Sequence, residues 1–144
     1  MLRAYLYEEL YKPELNLLVC SKDSLREKLQ FLESKLDLKI DTLIIHVCKY
    51  CFEIYYSERV NKDEQKSIQL DSAVRFRIEI DLNEFDEQMK RVDDALIQYP
   101  FEVTDDKYCE VRYMNLKDDF LILDVYIETK QTDQIDNGYN EAYT

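Results

Sequence analysis

The sequence is almost without glycine, since its 144 residues contain a single copy, Gly138. Phosphate-binding loops use glycine because backbone N–H groups must approach the phosphate closely. The chain has no G-x-G-x-x-G, Walker or G-x-S-x-G motif, which argues against the common nucleotide-binding and α/β-hydrolase enzymes. No apolar run reaches the ~18 residues of a membrane span, and the N-terminus is too acidic for a signal peptide. We therefore expect a cytoplasmic protein with reduced thiols and no membrane partner.

Histidine and cysteine are also scarce, with one and four copies, and His46, Cys48 and Cys51 stand together in the segment HVCKYC. The surrounding residues 42–56 contain no Gly, Pro, Asn or Asp, and their β-branched and aromatic side chains predict one long strand. In a regular strand His46 and Cys48 share a face while Cys51 lies on the other. A second ligand pair for zinc is missing. We expect no metal, no cofactor and no catalytic residue.

The hydrophobic pattern predicts two amphipathic helices and several strands. Both helices repeat apolar residues at steps of four, three and four, at Leu25, Leu29, Leu32 and Leu36 and at Phe85, Met89, Val92 and Leu96. Residues 73–82 alternate strictly and predict a half-buried antiparallel strand, with Arg75 and Arg77 opposite acids of a neighbouring strand. The expected fold class is α+β, an antiparallel sheet of about five to six strands with both helices on one face.

The element order is compatible with a ferredoxin-like fold or with a duplicated α-β-β unit. Leu25 and Phe85 occupy the same helix position at an offset of 60, and Lys-Tyr-Cys occurs at residues 49–51 and again at 107–109. We expect a single domain over residues 1–129. The remaining residues, 130–144, are polar and without periodicity, and they predict a flexible tail.

The net charge of −12 lies entirely in the second half of the chain. Residues 1–78 hold 13 acids and 13 Lys+Arg, whereas residues 79–144 hold 18 acids and 6 Lys+Arg. Direct binding to nucleic acid is disfavoured because phosphate contacts need clustered Lys and Arg. An acidic surface instead suits a basic protein or a ribonucleoprotein as partner. A homodimer is also compatible with the sequence.

These observations predict a non-catalytic acidic interaction module, an inhibitor that antagonises a basic nucleic-acid-handling partner by mimicking nucleic acid. Phage anti-defence proteins such as anti-CRISPRs are the analogy. The alternatives are a toxin-neutralising immunity protein and a small enzyme that uses His46 and Cys48. The candidate contact residues lie on the outer face of the second helix and at turns: Glu84, Glu87 and Asp94, and Asp105, Asp106, Asp118 and Asp119.

Overall fold

The computed structural model describes residues 2–7, 10–57 and 66–130. Within these ranges the chain forms eight strands and two short α-helices. The helices are α1 (Leu25–Glu33) and α2 (Phe85–Leu96), and a 3₁₀ turn precedes each of them. The strands are β1 (Ala4–Tyr7), β2 (Leu10–Ser21), β3 (Leu43–Val47), β4 (Cys51–Tyr56), β5 (Lys66–Leu70), β6 (Ala73–Asp81), β7 (Lys107–Asn115) and β8 (Phe120–Glu128).

All eight strands join one antiparallel sheet in the order β1-β6-β8-β7-β3-β4-β2-β5, which curls into a half-barrel. The predicted α+β sheet of five to six strands carrying two amphipathic helices is therefore wrong, because the fold is mostly sheet and its helices are short.

Two local errors explain the missing strands. The predicted long strand over residues 42–56 is a hairpin, in which β3 ends at Val47, β4 begins at Cys51, and the Cys48 backbone N–H donates to the Cys51 carbonyl at 3.1 Å. The predicted loop over residues 57–70 contains β5, whose Ile68 and Leu70 are buried.

The chain repeats a β-α-β-β unit, first as β2-α1-β3-β4 and then as β6-α2-β7-β8, and β3 pairs with β7 to join the two units. Strand β2 ends at Ser21 and β6 ends at Asp81, so the two strand-to-helix junctions lie 60 residues apart. The predicted α-β-β unit lacked its first strand. The two Lys-Tyr-Cys copies are not equivalent, because one spans the β3–β4 loop and the other begins β7.

The main core lies between the helices and one face of the sheet, which we call the helix face. Leu29 and Leu32 of α1 and Val92 of α2 are fully buried there. The alternation predicted for β6 is confirmed, since Val74, Phe76, Ile78, Ile80 and Leu82 are all buried in this core.

A smaller apolar cluster, which includes Leu15, Ile68 and Tyr126, lies on the other side of the sheet, which we call the second face. Strand β2 helps to form both layers because it changes partner along its length. Its first half pairs with β5 and its second half with β4, and the register breaks between Lys12 and Leu15. Pro13 cannot donate a ladder hydrogen bond, and Glu14 has a positive φ of 57°, so the strand is irregular at this point.

Across the described ranges, no helix is long and apolar enough to cross a membrane. A flexible tail was predicted over residues 130–144. Apart from Lys130, this segment lies outside the described residues.

Candidate functional site

A cleft of about 600 Å³ opens on the helix face where the two helices begin, and we call it the inter-helix cleft. The repeated β-α-β-β unit places it, because the lining comes mainly from the two equivalent strand-to-helix junctions, residues 22–26 after β2 and residues 82–87 after β6. Its volume lies in the range of small-molecule sites. Its lining residues are Lys22, Asp23, Leu25, Arg26, Phe52, Leu82, Asn83, Glu84, Phe85, Asp86 and Glu87.

Aromatic rings form part of the cleft lining. Phe52 of β4 and Phe85 of α2 meet edge to face with their ring centroids 5.3 Å apart, and both side chains are buried. The Lys22 ammonium lies 4.0 Å from the Phe52 ring centroid, which is well within the ~6 Å reach of a cation–π contact. The cleft therefore already binds a cation, the side chain of its own lysine.

Carboxylates outnumber cations around the cleft. Four acidic residues line it, namely Asp23, Glu84, Asp86 and Glu87, against two basic ones, Lys22 and Arg26.

The Arg26 charge is matched by a carboxylate of the β7–β8 turn. Its guanidinium forms a salt bridge with Asp119 and donates to the Asn83 side chain at 3.1 Å, and Asn83 in turn donates to Asp119 at 2.9 Å. Asp119 accepts these bonds from a left-handed conformation with φ 57°, which Asp tolerates better than most residues. This network ties the start of α1 to the turn before β8. The charge of Arg26 is thus paired with Asp119 rather than with the acids that line the cleft.

On the second face, two buried carboxylates are held by basic side chains. Asp124 of β8 is 1% exposed, and Arg77 of β6 donates to it twice, at 2.7 and 2.8 Å. Glu110 of β7 is contacted by Lys12 and Arg112, each at 3.3 Å. The predicted pairing of Arg77 with an acid on a neighbouring strand is thus confirmed. Buried charges require such partners.

A third group of polar side chains surrounds the β3–β4 hairpin on the second face, and we call it the hairpin cluster. His46 Nδ1 lies 2.7 Å from Glu53 Oε1 and 3.7 Å from Cys48 Sγ, and its Nε2 lies 3.0 Å from Asp106 Oδ1. Cys48 and Cys51 flank the loop directly opposite each other, because the register pairs Val47 with Phe52. The expectation that a strand separates the two thiols onto opposite faces is therefore wrong.

Burial raises several pKa values in this cluster. The pKa of Cys48 rises to about 12, first through desolvation and then through its hydrogen bond with the Cys51 thiol and the charge of Glu53. Desolvation, and then the charge of Asp106, raises the pKa of Tyr108 to about 12. Without a metal ion, this raised pKa disfavours the thiolate form of Cys48 that an activated nucleophile requires.

The acidic residues predicted to bind a partner do not form one patch. Glu84 and Glu87 line the cleft, and Asp94 is exposed further along α2. Asp105 and Asp106 are exposed before β7, and Asp106 belongs to the hairpin cluster. Asp118 accepts a hydrogen bond from Asn115 at 2.9 Å, and Asp119 is the partner of Arg26.

Sequence reasoning missed Phe52, Phe85 and Lys22 as cleft residues. Their apolar periodicity identified the phenylalanines only as core. The useful signal was the offset of 60 residues, since it implies two equivalent strand-to-helix junctions, and the residues of both junctions line the cleft.

A sequence model described as "Family of unknown function (DUF5975)" matches residues 1–129. The chain belongs to this family. No curated protein is detectably similar to it. The family description names no reaction, and the comparisons identify no catalytic family.

Two solved structures share the fold of this family member. SAV2435 bound to tetraphenylphosphonium is 8% identical with a TM-score of 0.53, over 96% of this chain and 98% of the other. A protein from Staphylococcus aureus MU50, whose name proposes a role in bacterial transcription regulation, is 8% identical with a TM-score of 0.54, over 91% of this chain and 99% of the other. At this identity the likeness establishes the fold alone.

Proposed function

We propose that the chain is a non-catalytic ligand-binding module that takes an organic cation with apolar substituents into the inter-helix cleft. The observation that carries this proposal is the Lys22 ammonium held 4.0 Å from the Phe52 ring centroid. A ligand cation that displaces Lys22 would gain the same aromatic contact.

The chemistry of the cleft suits such a ligand in two ways. Apolar substituents are favoured by burial against Phe85, Leu25 and Leu82, at about 25 cal/mol per Å² of apolar surface removed from water. The positive charge is favoured by the cation–π contact, worth about 0.5 to 2 kcal/mol, and by the excess of carboxylates. An anion or a neutral polar molecule would lack the second contribution.

A solved structure of the same fold supports the proposal. SAV2435 is described as bound to tetraphenylphosphonium, whose positive charge is surrounded by four phenyl groups. This compound is therefore a suitable probe for the cleft.

The acids of α2 also stabilise the helix, and an experiment must separate this structural role from ligand binding. Asp86 and Glu87 lie in the first turn of the helix. A carboxylate there interacts favourably with the helix dipole and stabilises the helix by about 0.3 to 1 kcal/mol. Replacing Glu87 by Gln removes the charge and keeps the size of the side chain. Asp94→Asn makes the same change on α2 outside the cleft lining and serves as the matched control.

The test is isothermal titration calorimetry with tetraphenylphosphonium, chosen because the chain has no tryptophan to report binding by fluorescence. We expect Phe52→Leu and Glu87→Gln each to weaken binding at least threefold and Asp94→Asn to leave it unchanged. Circular dichroism confirms that each variant is folded. If the wild type binds and both cleft variants bind equally well, the ligand lies elsewhere and the assignment of the cleft is wrong.

A basic macromolecular partner is the second candidate, and the exposure of Glu84 just before α2 and of Glu87 and Asp94 on α2 favours it. In its specific form, this candidate is an inhibitor whose target is a nucleic-acid-handling protein. It predicts that reversing the charges of all three acids weakens the capture of a basic partner and reduces the salt dependence of binding. An unchanged affinity of the reversed variant for the same partner, together with a wild-type affinity that does not change with salt, would contradict this candidate.

A further inference from the structure

We propose that the hairpin cluster is a zinc site, in which His46 Nδ1, Cys48 Sγ, Cys51 Sγ and a Glu53 carboxylate oxygen bind one Zn²⁺. This inference is independent of the cation cleft, which lies on the helix face.

The hairpin brings the four ligands together. Register pairs His46 with Glu53 across β3 and β4, and the next pair on the same face is Cys48 with Cys51. Directly opposed residues of an antiparallel pair point to the same side of the sheet. Two successive cross-strand pairs therefore supply an imidazole, a carboxylate and two thiols at the end of one hairpin.

The distances fit a tetrahedral ion. With Zn–S near 2.3 Å and Zn–N near 2.0–2.1 Å, a tetrahedral angle separates the sulfur and nitrogen ligands by about 3.6 Å, and Cys48 Sγ lies 3.7 Å from His46 Nδ1. One ligand atom each of His46, Cys48 and Glu53 all lie within 4.8 Å of one another. Cys51 is outside this group of three, and its thiol, which adjoins that of Cys48, would turn toward the other ligands to become the fourth. The Nδ1–Oε1 separation of 2.7 Å is a hydrogen-bond distance, and it would open to about 3.4 Å around the ion.

The surrounding side chains already hold the ligands as a zinc site requires. His46 Nε2 faces Asp106 Oδ1 at 3.0 Å, and a zinc-bound histidine almost always donates its other N–H to a carboxylate or carbonyl. The imidazole is also stacked on Tyr108 with the ring centroids 4.3 Å apart and the planes at 6°. Tyr55 donates to Glu53 at 3.4 Å, which orients the carboxylate.

The donor set selects the metal. Two thiolates and an imidazole suit Zn²⁺, whereas Mg²⁺ and Ca²⁺ require oxygen ligands. With Cys51 as the fourth ligand the coordination would be closed, as in structural zinc sites. The ion would fix the hairpin whose opposite side carries Phe52.

The test uses the reduced, chelator-treated full chain, titrated with Co²⁺ and then with Zn²⁺. We expect one Co²⁺ per chain with a thiolate-to-cobalt charge-transfer absorption and the visible spectrum of a tetrahedral ion, and displacement of the Co²⁺ by one equivalent of Zn²⁺. Cys48→Ser and Cys51→Ser should each weaken Zn²⁺ binding by at least tenfold and reduce the charge-transfer intensity. Asp106→Asn should weaken binding by about tenfold while keeping the absorption spectrum, because its effect acts through His46.

The control is Cys109→Ala, which removes a thiol that is buried on the helix face, and it should bind Zn²⁺ as the wild type does. Zinc should also raise the unfolding temperature of the wild type but not that of Cys48→Ser. A wild-type chain that binds Co²⁺ without charge-transfer absorption, or that binds no metal at micromolar concentrations, would overturn the proposal. In that case the cluster is a hydrogen-bonded histidine–carboxylate pair beside two thiols.

Discussion

Replacing Arg77 by Met should destabilise the protein strongly, because it leaves the Asp124 carboxylate buried without its main partner. Arg77 supplies both short contacts to Asp124, at 2.7 and 2.8 Å, and the nearest remaining cation contact is Arg112 Nε at 3.7 Å. Breaking a fully buried pair by removing one partner costs about 3 to 5 kcal/mol, but the Arg77 side chain is 54% exposed, so water screens this pair. Because of this screening and because Arg112 compensates in part, we expect about 2 kcal/mol, out of a total of about 5–15 kcal/mol for a domain.

Urea unfolding followed by circular dichroism measures this loss. Arg91→Met is the matched control, since Arg91 is exposed on α2 and contacts only Gln88 among the contacts described for it; its effect should stay within about 0.5 kcal/mol. Adding Asp124→Asn to Arg77→Met removes the stranded charge and should restore about 1 kcal/mol or more. A loss below about 1 kcal/mol for Arg77→Met, or a double variant less stable than it, would refute this reasoning.

Three further changes test separate parts of the structure. Lys22→Ala uncovers the Phe52 ring and should tighten tetraphenylphosphonium binding about two- to fivefold in calorimetry; weaker binding would mean that Lys22 helps the ligand. Leu29→Ala, at a fully buried position, should lower the free energy of unfolding in urea by about 2 to 5 kcal/mol. A loss below about 1 kcal/mol would contradict the place of Leu29 in the core. Burial raises the pKa of the Cys109 thiol from 9.0 to about 12, so the unfolded chain loses this proton first and stability falls as pH rises from about 9 to about 12. Cys109→Ala should reduce the fall in stability between about pH 8 and about pH 10.5 in urea unfolding, and part of the fall remains because the pKa values of Cys48 and Tyr108 are also raised. A fall as large as in the wild type would place its cause elsewhere.

The positions of the two helices and the buried face of β6 were predictable because both depend on strong, local periodicity, but α1 ends at Glu33, before the Leu36 that the pattern assigned to it. The β3–β4 hairpin was missed because its loop carries no turn signal. Asn and Gly mark hairpin loops when the backbone needs a positive φ, and among the described residues only Glu14 and Asp119 have one. Lys49 and Tyr50 can therefore form the loop without special residues.

The candidate sites were less predictable for a related reason. Phe52 and Phe85 follow the same pattern whether they fill a core or line a cleft, and only the packing of the two β-α-β-β units distinguishes these roles. The hairpin cluster depends on register, since a straight strand separates Cys48 from Cys51 and a hairpin joins them. Acidic composition drew attention to Glu84 and Glu87, which line the cleft, but it could not reveal the aromatic rings beside them.

The most direct test of the cation-binding function compares tetraphenylphosphonium with triphenylphosphine oxide, a neutral molecule with similar phenyl groups, by calorimetry on the wild-type chain. The proposed cleft predicts saturable binding of one phosphonium per chain and at least tenfold weaker binding of the neutral oxide, because only the cation gains the contacts with Phe52 and the carboxylates. Equal affinity for the two compounds, or no binding of either, would contradict the account.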